Sequence, residues 1–301
     1  MELSVRLLFI FVASSALLGA CGTTYQMPEI DQANLAEANR ILTEERGSGI
    51  SRNLSDEDAV AVYIQVAADI EPVAEQFCRE EHPDEPFSFC DYEFRVNTDP
   101  SAPVNATQRY VDDRPVLTFN RALLTSVRNP DELAFIAGHE AGHHIAGHIE
   151  KKQQQQLAGA LLMGVLMGVA QAGAAYNNPY YRSDPNAVGN AMAAGGAMGG
   201  HAYSQTYELE SDLIGSYIAA RAGYDPEVGA RFFAKLDKDE AGEEGMNLWS
   251  THPSSPERIA IVLEANREIH QKIAVGASLR PDVEARMPAS PPTPSGPKSA
   301  W

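Results

Sequence analysis

The feature that most constrains this chain is the run of residues 132–150, ELAFIAGHEAGHHIAGHIE, which contains the pattern HExxH. Its two histidines, His139 and His143, lie on one face of an α-helix, so both imidazoles can bind a single metal ion. Glu140 stands beside that ion, where it can accept a proton from an attacking water molecule. The pattern therefore predicts a helical metal site with its own general base.

The ends and the small residues of this run also indicate a helix. Asn129 and Pro130 suit the N-cap and the first helical position, and Glu132 can complete a capping box. Because glycine inside a helix costs about 1 kcal/mol, a repeated stripe of small residues needs a reason. We expect the stripe to let another element come close beside the metal face. Its members recur at every fourth position: Ala134, Gly138, Gly142 and Ala146.

A third protein ligand for the ion must come from another part of the chain. A metzincin would have Gly and His three and six residues after His143, but Ala146 and Ile149 stand there. The remaining ligand is therefore expected outside the HExxH helix.

A second predicted helix, over residues 201–222, carries the candidate for that ligand. Glu208 and Asp212 are four residues apart and share one helix face. Zinc in hydrolases usually keeps three protein ligands and one open position, and two histidines with one glutamate are a recurring set. We predict that Glu208 binds the ion and that Asp212 orients a ligating imidazole. Glu210 points away from this face and is the weaker candidate.

The N-terminus has the pattern of an export signal. Residues 1–20 combine a short charged start, an apolar run and small residues, and the run is short for a membrane span. Leu18-Gly19-Ala20-Cys21 resembles the bacterial lipobox, which implies cleavage before Cys21 and lipid attachment to it. Gly22 then implies sorting to the outer membrane. An ordinary export signal with a leftover cysteine is the alternative.

The two remaining cysteines, Cys78 and Cys90, form a pair. In an oxidising compartment they can persist as a disulfide, which would join the end of a helix to a strand. Neither has the histidine or cysteine neighbours of a second zinc site.

The chain is expected to form one main domain. A hydrophobic content of 44% in 301 residues is enough for one substantial core. The net charge of −18 argues against nucleic acid or an anionic membrane surface as the main partner. We assign residues 21–54 to a lipidated N-terminus and polar tether with one helix near 32–45, residues 55–275 to the domain, and residues 276–301 to a disordered Pro- and Ser-rich tail.

Partly alternating residues predict three strands, at 87–96, 104–110 and 115–119, after a helix at 55–81. We expect them to form a small antiparallel sheet near the metal helix. An extended peptide can bind the edge of such a sheet through main-chain hydrogen bonds, with little demand on its sequence. A purely structural sheet is the alternative.

An insertion rich in Gly, Ala and Met follows the metal helix, at residues 157–200. Residues 157–175 are long enough for a membrane span but only weakly hydrophobic, so we favour a helix packed in or over the domain. We expect residues 177–200 to be a low-complexity loop, which is either a lid over the site or a tolerated insertion.

Several segments together resemble the HtpX-like zinc peptidase family, which includes the CAAX prenyl endopeptidases. Besides the HExxH run, they are VNAT at 104–107, YELESDLIG at 207–215, AGYDP at 222–226 and THPSSPERI at 251–259. The resemblance covers about residues 55–264 and implies a mainly helical α+β domain of the gluzincin type, with a small sheet beside the HExxH helix. It also implies peptide-bond hydrolysis at one Zn²⁺ per chain, with Glu140 as the general base and three ligands: His139, His143 and Glu208.

Two positions depart from the family pattern. Where the family has Arg after the serine at 204 and Ala at 211, this chain has Gln205 and Ser211. The missing arginine puts a contact to substrate or behind the ligands in doubt, but not the ligand set. The integral-membrane members have strong spanning helices after HExxH, so this chain resembles the periplasmic, lipid-anchored branch.

The roles of the other polar residues stay open. His252, in HPSSPER, can approach the zinc as a fourth ligand that keeps the site latent, or it can stabilise the oxyanion of the tetrahedral intermediate. A helix-start turn stabilised by Arg258 is the structural alternative, and Arg258 can also pair with Asp212. Further histidines are expected on helix surfaces or in a loop: His144, His148 and His201.

The sequence thus predicts a bacterial outer-membrane lipoprotein that faces the periplasm and cleaves misfolded or unassembled envelope proteins. The alternative is a chaperone-like or assembly-factor lipoprotein with a structural or latent zinc site. Glu140 favours the enzyme, because a structural site needs no base and normally has a fourth protein ligand. The oligomeric state stays open.

Overall fold

The computed structural model describes residues 23–46, 53–201, 204–235, 248 and 252–282. The predicted signal peptide, the lipidation site Cys21 and the tail beyond residue 282 lie outside these residues.

The described residues are mainly helical, with one small sheet. The helices are α1 (Gln32–Arg46), α2 (Asp56–Glu81), α3 (Arg121–Ser126), α4 (Pro130–Ile145), α5 (His148–Asn177), α6 (Ala187–His201), α7 (Ser204–Arg221), α8 (Pro226–Ala234) and α9 (Pro256–Val275). The strands are β1 (Glu93–Asn97), β2 (Ala106–Val111) and β3 (Arg114–Asn120). This confirms the predicted α+β class.

The sheet is mixed rather than wholly antiparallel. β2 and β3 form an antiparallel hairpin, and both residues of its turn, Asp112 and Asp113, have positive φ (51° and 60°), which suits a tight hairpin. β1 pairs with β3 in parallel, so the antiparallel prediction is wrong for this strand. The reason is the strand order β1-β3-β2: the chain crosses from β1 to the far edge before it returns along β3.

The first predicted strand is also shorter than expected. Phe87–Cys90 form a 3-10 turn, and β1 begins only at Glu93. A disulfide between Cys78 and Cys90, whose Cα atoms are 5.6 Å apart, holds this turn against the end of α2. The bridge thus joins a helix to a turn that precedes the strand.

The HExxH helix α4 is almost entirely buried. It begins as predicted, since the Asn129 side chain accepts a hydrogen bond from the backbone N–H of Glu132 at 3.0 Å. It ends at Ile145, earlier than predicted, because Gly147 adopts a left-handed conformation (φ 65°). A new helix, α5, then begins at His148.

The stripe of small residues on α4 is the surface against which α7 packs. A Cβ atom on Gly138 would lie 2.9 Å from the carbonyl oxygen of Gly215, and one on Gly142 would lie 3.0 Å from that of Ser211. Only glycine allows backbones to come this close. The approach that the stripe predicts therefore brings the acidic residues of α7 beside the histidines of α4.

The helix predicted within the tether packs into the same core. Ile41 and Leu42 of α1 are buried, as is Tyr25 before it. α1 lies against α9 and α8. The core therefore continues across the predicted boundary at residue 55.

Residues 148–201 form a helical hairpin, which overturns two predictions. Residues 187–201 are helix α6 rather than loop. α5 packs mainly along α6. Only 6% of its most apolar stretch is buried, so this helix is not packed in or over the domain. Among the described residues, α5 is also the one helix long and apolar enough to cross a membrane.

Candidate metal centre

Four potential metal-binding residues meet at one point. Nε2 of His139 lies 3.1 Å from Nε2 of His143, both on α4. The carboxylate of Glu208, on α7, lies 3.4 Å from each of these nitrogens. His252, just before α9, places Nδ1 3.2 Å from His139 Nε2. The four ligand atoms all lie within 4.8 Å of one another.

These spacings fit a zinc ion. Ligand atoms about 2.0–2.2 Å from a tetrahedral zinc stand roughly 3.4 Å apart. The measured separations among His139, His143 and Glu208 are 3.1–3.4 Å. Because two imidazoles and a carboxylate are also a donor set that suits zinc, these three side chains can hold one ion.

A buried ion pair fixes the imidazole of His139. Its Nδ1 donates to Oδ1 of Asp212 at 2.8 Å. Arg258 donates two hydrogen bonds of 2.7 Å to the same carboxylate, from Nε to Oδ2 and from Nη2 to Oδ1. Metal binding would displace the proton from Nε2 and leave the proton on Nδ1, so that Nε2 of His139 presents its lone pair to the ion. The structure therefore brings Asp212 and Arg258 together behind His139.

A second hydrogen-bonded network, which the sequence did not predict, lies behind His143. Nδ1 of His143 is 2.9 Å from Nδ1 of His148, and Nε2 of His148 is 2.9 Å from Oε2 of Glu210. If His148 donates from Nε2 to the carboxylate, its Nδ1 accepts from His143, and Nε2 of His143 keeps its lone pair. The other oxygen of Glu210 accepts the backbone N–H groups of Thr24 and Tyr25. Glu210 thus lies behind the ligand cluster rather than in it.

The prediction that His144 and His148 lie on helix surfaces is wrong. They are 2% and 4% exposed. His144 packs against aromatic rings, and its Nδ1 accepts from the Tyr92 hydroxyl at 2.7 Å. His201 was predicted in a loop, which is also wrong, because it is the last residue of α6; its side chain lies outside what the structure describes.

A signal for His148 was present in the sequence. Gly147 follows the HExxH helix directly, and a glycine at this place commonly ends a helix in the left-handed conformation. The chain then changes direction, so the next histidine turns back toward His143 instead of continuing around α4.

Glu140 is buried beside the cluster, with 2% of its surface exposed. Its Oε1 makes no hydrogen bond within the described part of the chain and lies 3.4 Å from Nε2 of His252. A buried carboxylate oxygen without a hydrogen bond is costly and calls for an explanation. Glu140 lines a cavity of about 250 Å³ together with His143 and Glu208.

The same cavity is bordered by the strand β2. Ala106, Thr107 and Gln108 contribute to its lining, as does Tyr207, whose ring stacks on His148. β2 is at the end of the strand order, so one of its sides is not paired within the described sheet. An extended segment can therefore lie along β2 and pass Glu140.

The charges of the cluster favour a cation at its centre. Burial acts to lower the pKa of His139, but hydrogen bonds to Asp212 and Glu208 raise this pKa to about 9. Burial acts to raise the pKa of Glu208, but the imidazoles of His252 and His143 hold it well below its ordinary value. Glu208 is therefore ionised at neutral pH, the form that binds metals.

The two departures from the family pattern leave this cluster intact. Gln205 is exposed. Ser211 is buried, and its Oγ lies 3.2 Å from Nδ1 of His148. Neither residue forms a side-chain hydrogen bond with the three predicted ligands in the described structure.

Comparisons with known proteins agree with this geometry. The chain matches the family described as Peptidase family M48 over residues 87–266, more than half of its length. It is also similar to the mitochondrial metalloendopeptidase OMA1 of Arabidopsis thaliana, with 39% identity over 64 residues. That match covers 21% of this chain and 13% of the plant protein, so the chain matches only about an eighth of that relative.

Proposed function

This chain belongs to peptidase family M48, and we propose that it is a zinc-dependent endopeptidase. The observation that carries the proposal is the convergence of His139, His143 and Glu208 beside the buried carboxylate of Glu140, whose Oε1 accepts no hydrogen bond from the described residues. Family membership supports a metal-dependent peptidase. The donor set supports zinc as the metal.

The proposed chemistry divides between the metal and Glu140. Bound zinc supplies Lewis acidity, which polarises a carbonyl and acidifies water. Glu140 accepts the proton of the attacking water at its carboxylate and passes it to the nitrogen of the leaving amine. The hydrogen bonds that Asp212 accepts from His139 and His148 accepts from His143 keep the two ligating imidazoles in the tautomers that the metal requires.

The substrate is proposed to bind as an added strand. β2 lines the cavity and has an unpaired side within the described sheet, so a peptide can bond to its main chain. Recognition through the main chain demands extended rather than specific sequence. Unfolded or misassembled proteins meet this demand, which favours a role in protein quality control.

His252 is proposed to keep the resting site closed. Its Nδ1 is 2.8 Å from Oε2 of Glu208 and 3.2 Å from Nε2 of His139, which is the place of a fourth ligand. Arg258 holds this histidine through a 3.2 Å hydrogen bond from Nη1 to its carbonyl oxygen. A substrate carbonyl can reach the centre only when His252 moves aside.

The cellular setting is proposed from the N-terminal sequence. Residues 1–20 with Cys21 fit a lipoprotein signal, and Gly22 fits transfer to the outer membrane. The enzyme would then be held in the periplasm by its lipid, with unfolded envelope proteins as substrates. Sequencing and mass spectrometry of the mature N-terminus test this, since an unmodified Cys21 would contradict it.

The closed position of His252 also supports a second candidate, a chaperone-like protein with a latent or structural zinc site. A four-ligand site would need no general base. The two candidates predict different effects when the Glu140 carboxylate is replaced. Binding of an unfolded protein would survive the replacement, whereas hydrolysis would not.

Casein cleavage with the zinc content measured tests the proposal. The proteins are the mature wild type, Glu140→Gln and, as a control, Glu29→Gln, which changes an exposed carboxylate. We expect wild type and control to cut alike, and Glu140→Gln to keep its zinc but lose at least about 100-fold in rate. Equal cutting by Glu140→Gln contradicts the role of Glu140, and zinc binding with no cutting by any of them supports the second candidate.

A further inference from the structure

The hairpin α5–α6 presents a large apolar surface that the rest of the described chain does not cover. Its exposed side chains are between 52% and 66% accessible: Leu157, Leu161, Leu162, Val165, Leu166 and Val169. Two common reasons for an apolar helix do not apply. α5 is not a core helix, because only 6% of its most apolar window is buried, and it is not an N-terminal signal.

The dimensions of α5 match a lipid bilayer. The part from Leu157 to Ala175 rises about 28 Å at 1.5 Å per residue, close to the roughly 30 Å of a hydrocarbon core. No Asp, Glu, Lys or Arg lies between Lys152 and Arg182. Tyr176 and Tyr180, near the tip of the hairpin, are each 91% exposed.

The two ends of the hairpin also suit the two boundaries of a membrane. Lysine side chains can reach the headgroups from the end of a buried helix, and tyrosine is enriched at membrane interfaces. The exposed Lys152 stands at the base, and the tyrosines stand at the tip. A surface that binds a second protein would not need lysine at one end, tyrosine at the other and only uncharged residues between them.

The contact between α5 and α6 is of a kind that membrane helices use. A Cβ atom on Gly195 would clash with the carbonyl oxygen of Gly159, and one on Gly199 would clash with that of Gln155. Small residues thus face each other inside the hairpin, while the leucines and valines of α5 are exposed on its outside. Lipid chains can cover an outward surface of this type.

The start of the described chain lies at the base of this hairpin. Lys151 Nζ donates to Oγ1 of Thr24 at 2.8 Å. Cys21 precedes Thr24 by three residues, a distance of at most about 11 Å along an extended chain. A lipid on Cys21 and the base of α5 can therefore meet the same membrane surface.

From these observations we propose that the hairpin α5–α6 inserts into the lipid bilayer to which the N-terminal lipid is attached. The metal centre then lies close to the membrane surface, because His148, Ile149 and Lys152, at the start of α5, line the catalytic cavity. Chain segments that emerge at that surface are the substrates most easily reached. The insertion itself does not depend on peptidase activity.

A fluorescent probe on the full mature protein tests the insertion. The chain has three cysteines, of which two form the disulfide and one is Cys21, so an added cysteine can be labelled selectively. Val165→Cys and Val169→Cys place an environment-sensitive dye on the hairpin. Val60→Cys and Ile273→Cys are matched controls, because these side chains are 53% and 56% exposed on α2 and α9. Labelled wild type reports any dye on Cys21.

The proteins are reconstituted into vesicles of phosphatidylethanolamine and phosphatidylglycerol, with and without a phosphatidylcholine that carries a nitroxide on its acyl chain. We expect the hairpin dyes to brighten several-fold in vesicles and to be quenched by the nitroxide, while the control dyes do neither. The proposal is overturned if the protein binds vesicles but the dyes on the hairpin stay exposed to water. It is also overturned if the protein does not bind vesicles. Dyes that are shielded without vesicles, more so at higher protein concentration, also overturn it and indicate a second copy of the chain. None of these readouts requires hydrolysis, so the peptidase proposal stands or falls separately.

Discussion

Nδ1 of His148 lies 2.9 Å from Nδ1 of His143, so the tautomer of one imidazole sets that of the other. Glu210 holds the far nitrogen of His148 at 2.9 Å and also accepts the backbone N–H of Tyr25 at 2.9 Å. A proposed zinc ligand is therefore connected, through two side chains, to the segment that follows the predicted lipid anchor. The groups that orient His143 are an imidazole and a carboxylate, whereas those that orient His139 are a carboxylate and an arginine.

Glu210→Gln should weaken zinc binding about 10- to 100-fold, because the amide no longer fixes the proton of His148 on Nε2. Competition with a chromophoric chelator measures the affinity. Glu45→Gln is the matched control, since Glu45 is also a buried carboxylate but pairs with Arg128 at 2.8 Å, away from the metal centre. An unchanged affinity in Glu210→Gln would show that this chain of hydrogen bonds does not position the ligand.

Gly215→Ala should separate α7 from α4 and so move Glu208 away from the histidines. The new Cβ would lie 2.8 Å from the backbone nitrogen of His139, and backbone cannot easily yield. We expect a loss of about 1–3 kcal/mol in the free energy of unfolding, together with weaker zinc binding. Gly168→Ala is the control, because nothing lies within 4 Å of that position and alanine favours a helix by up to about 1 kcal/mol. Equal stability of the two variants would refute the close-packing argument.

Most of the metal centre could be predicted because it depends on local rules. The helical spacing of His139 and His143 and the glycine stripe of α4 are periodic patterns, and they require a close neighbouring helix. The acids at Glu208 and Asp212 share the same kind of spacing on that neighbour. These relationships need no knowledge of the rest of the fold.

The parts that were missed depend on where the chain changes direction. His148 was predicted at the surface because α4 was extended through Gly147, where the backbone turns. β1 was predicted antiparallel because hairpins are the default connection, while its partner β3 is separated from it by β2 along the chain. Helix α6 was missed because Gly and Ala have no apolar period, and its packing against α5 is visible only in three dimensions.

Asp212→Asn should destabilise the fold by about 3–5 kcal/mol, because the buried guanidinium of Arg258 loses its two-fold partner and keeps only the carboxylate of Glu208, 3.4 Å from Nη1. Urea unfolding followed by circular dichroism measures this change. Asp56→Asn is the control, since Asp56 pairs with Arg121 at the surface, where ion pairs contribute little. A similar loss of unfolding free energy in the two variants would mean that burial does not make the Asp212–Arg258 pair more important than a surface pair.

His144 should make the protein less stable as the pH falls. Burial, and to a smaller extent the charge of His82, lowers the pKa of His144 from 6.5 to about 3. The unfolded state therefore takes up a proton below pH 6.5 that the folded state refuses until about pH 3, so stability is lost through that window. At pH 5 the loss is about 2 kcal/mol. The unfolding free energy of wild type minus that of His144→Gln, measured from pH 8 to pH 5, should fall by this amount, and a flat difference would contradict it.

On the proposed closure of the resting site, His252→Ala should increase the rate of casein cleavage, because Nδ1 of His252 lies within the ligand cluster, 2.8 Å from Oε2 of Glu208. Removal of this imidazole leaves His139, His143 and Glu208 in place and opens the centre to a substrate carbonyl. Zinc content should stay near one ion per chain, since three ligands suffice for a catalytic site. His270→Ala is the control, because it removes an exposed imidazole from α9 without touching the cavity. A rate that falls while zinc is retained would instead mean that His252 stabilises the oxyanion of the tetrahedral intermediate, and the resting closure would then have to be abandoned.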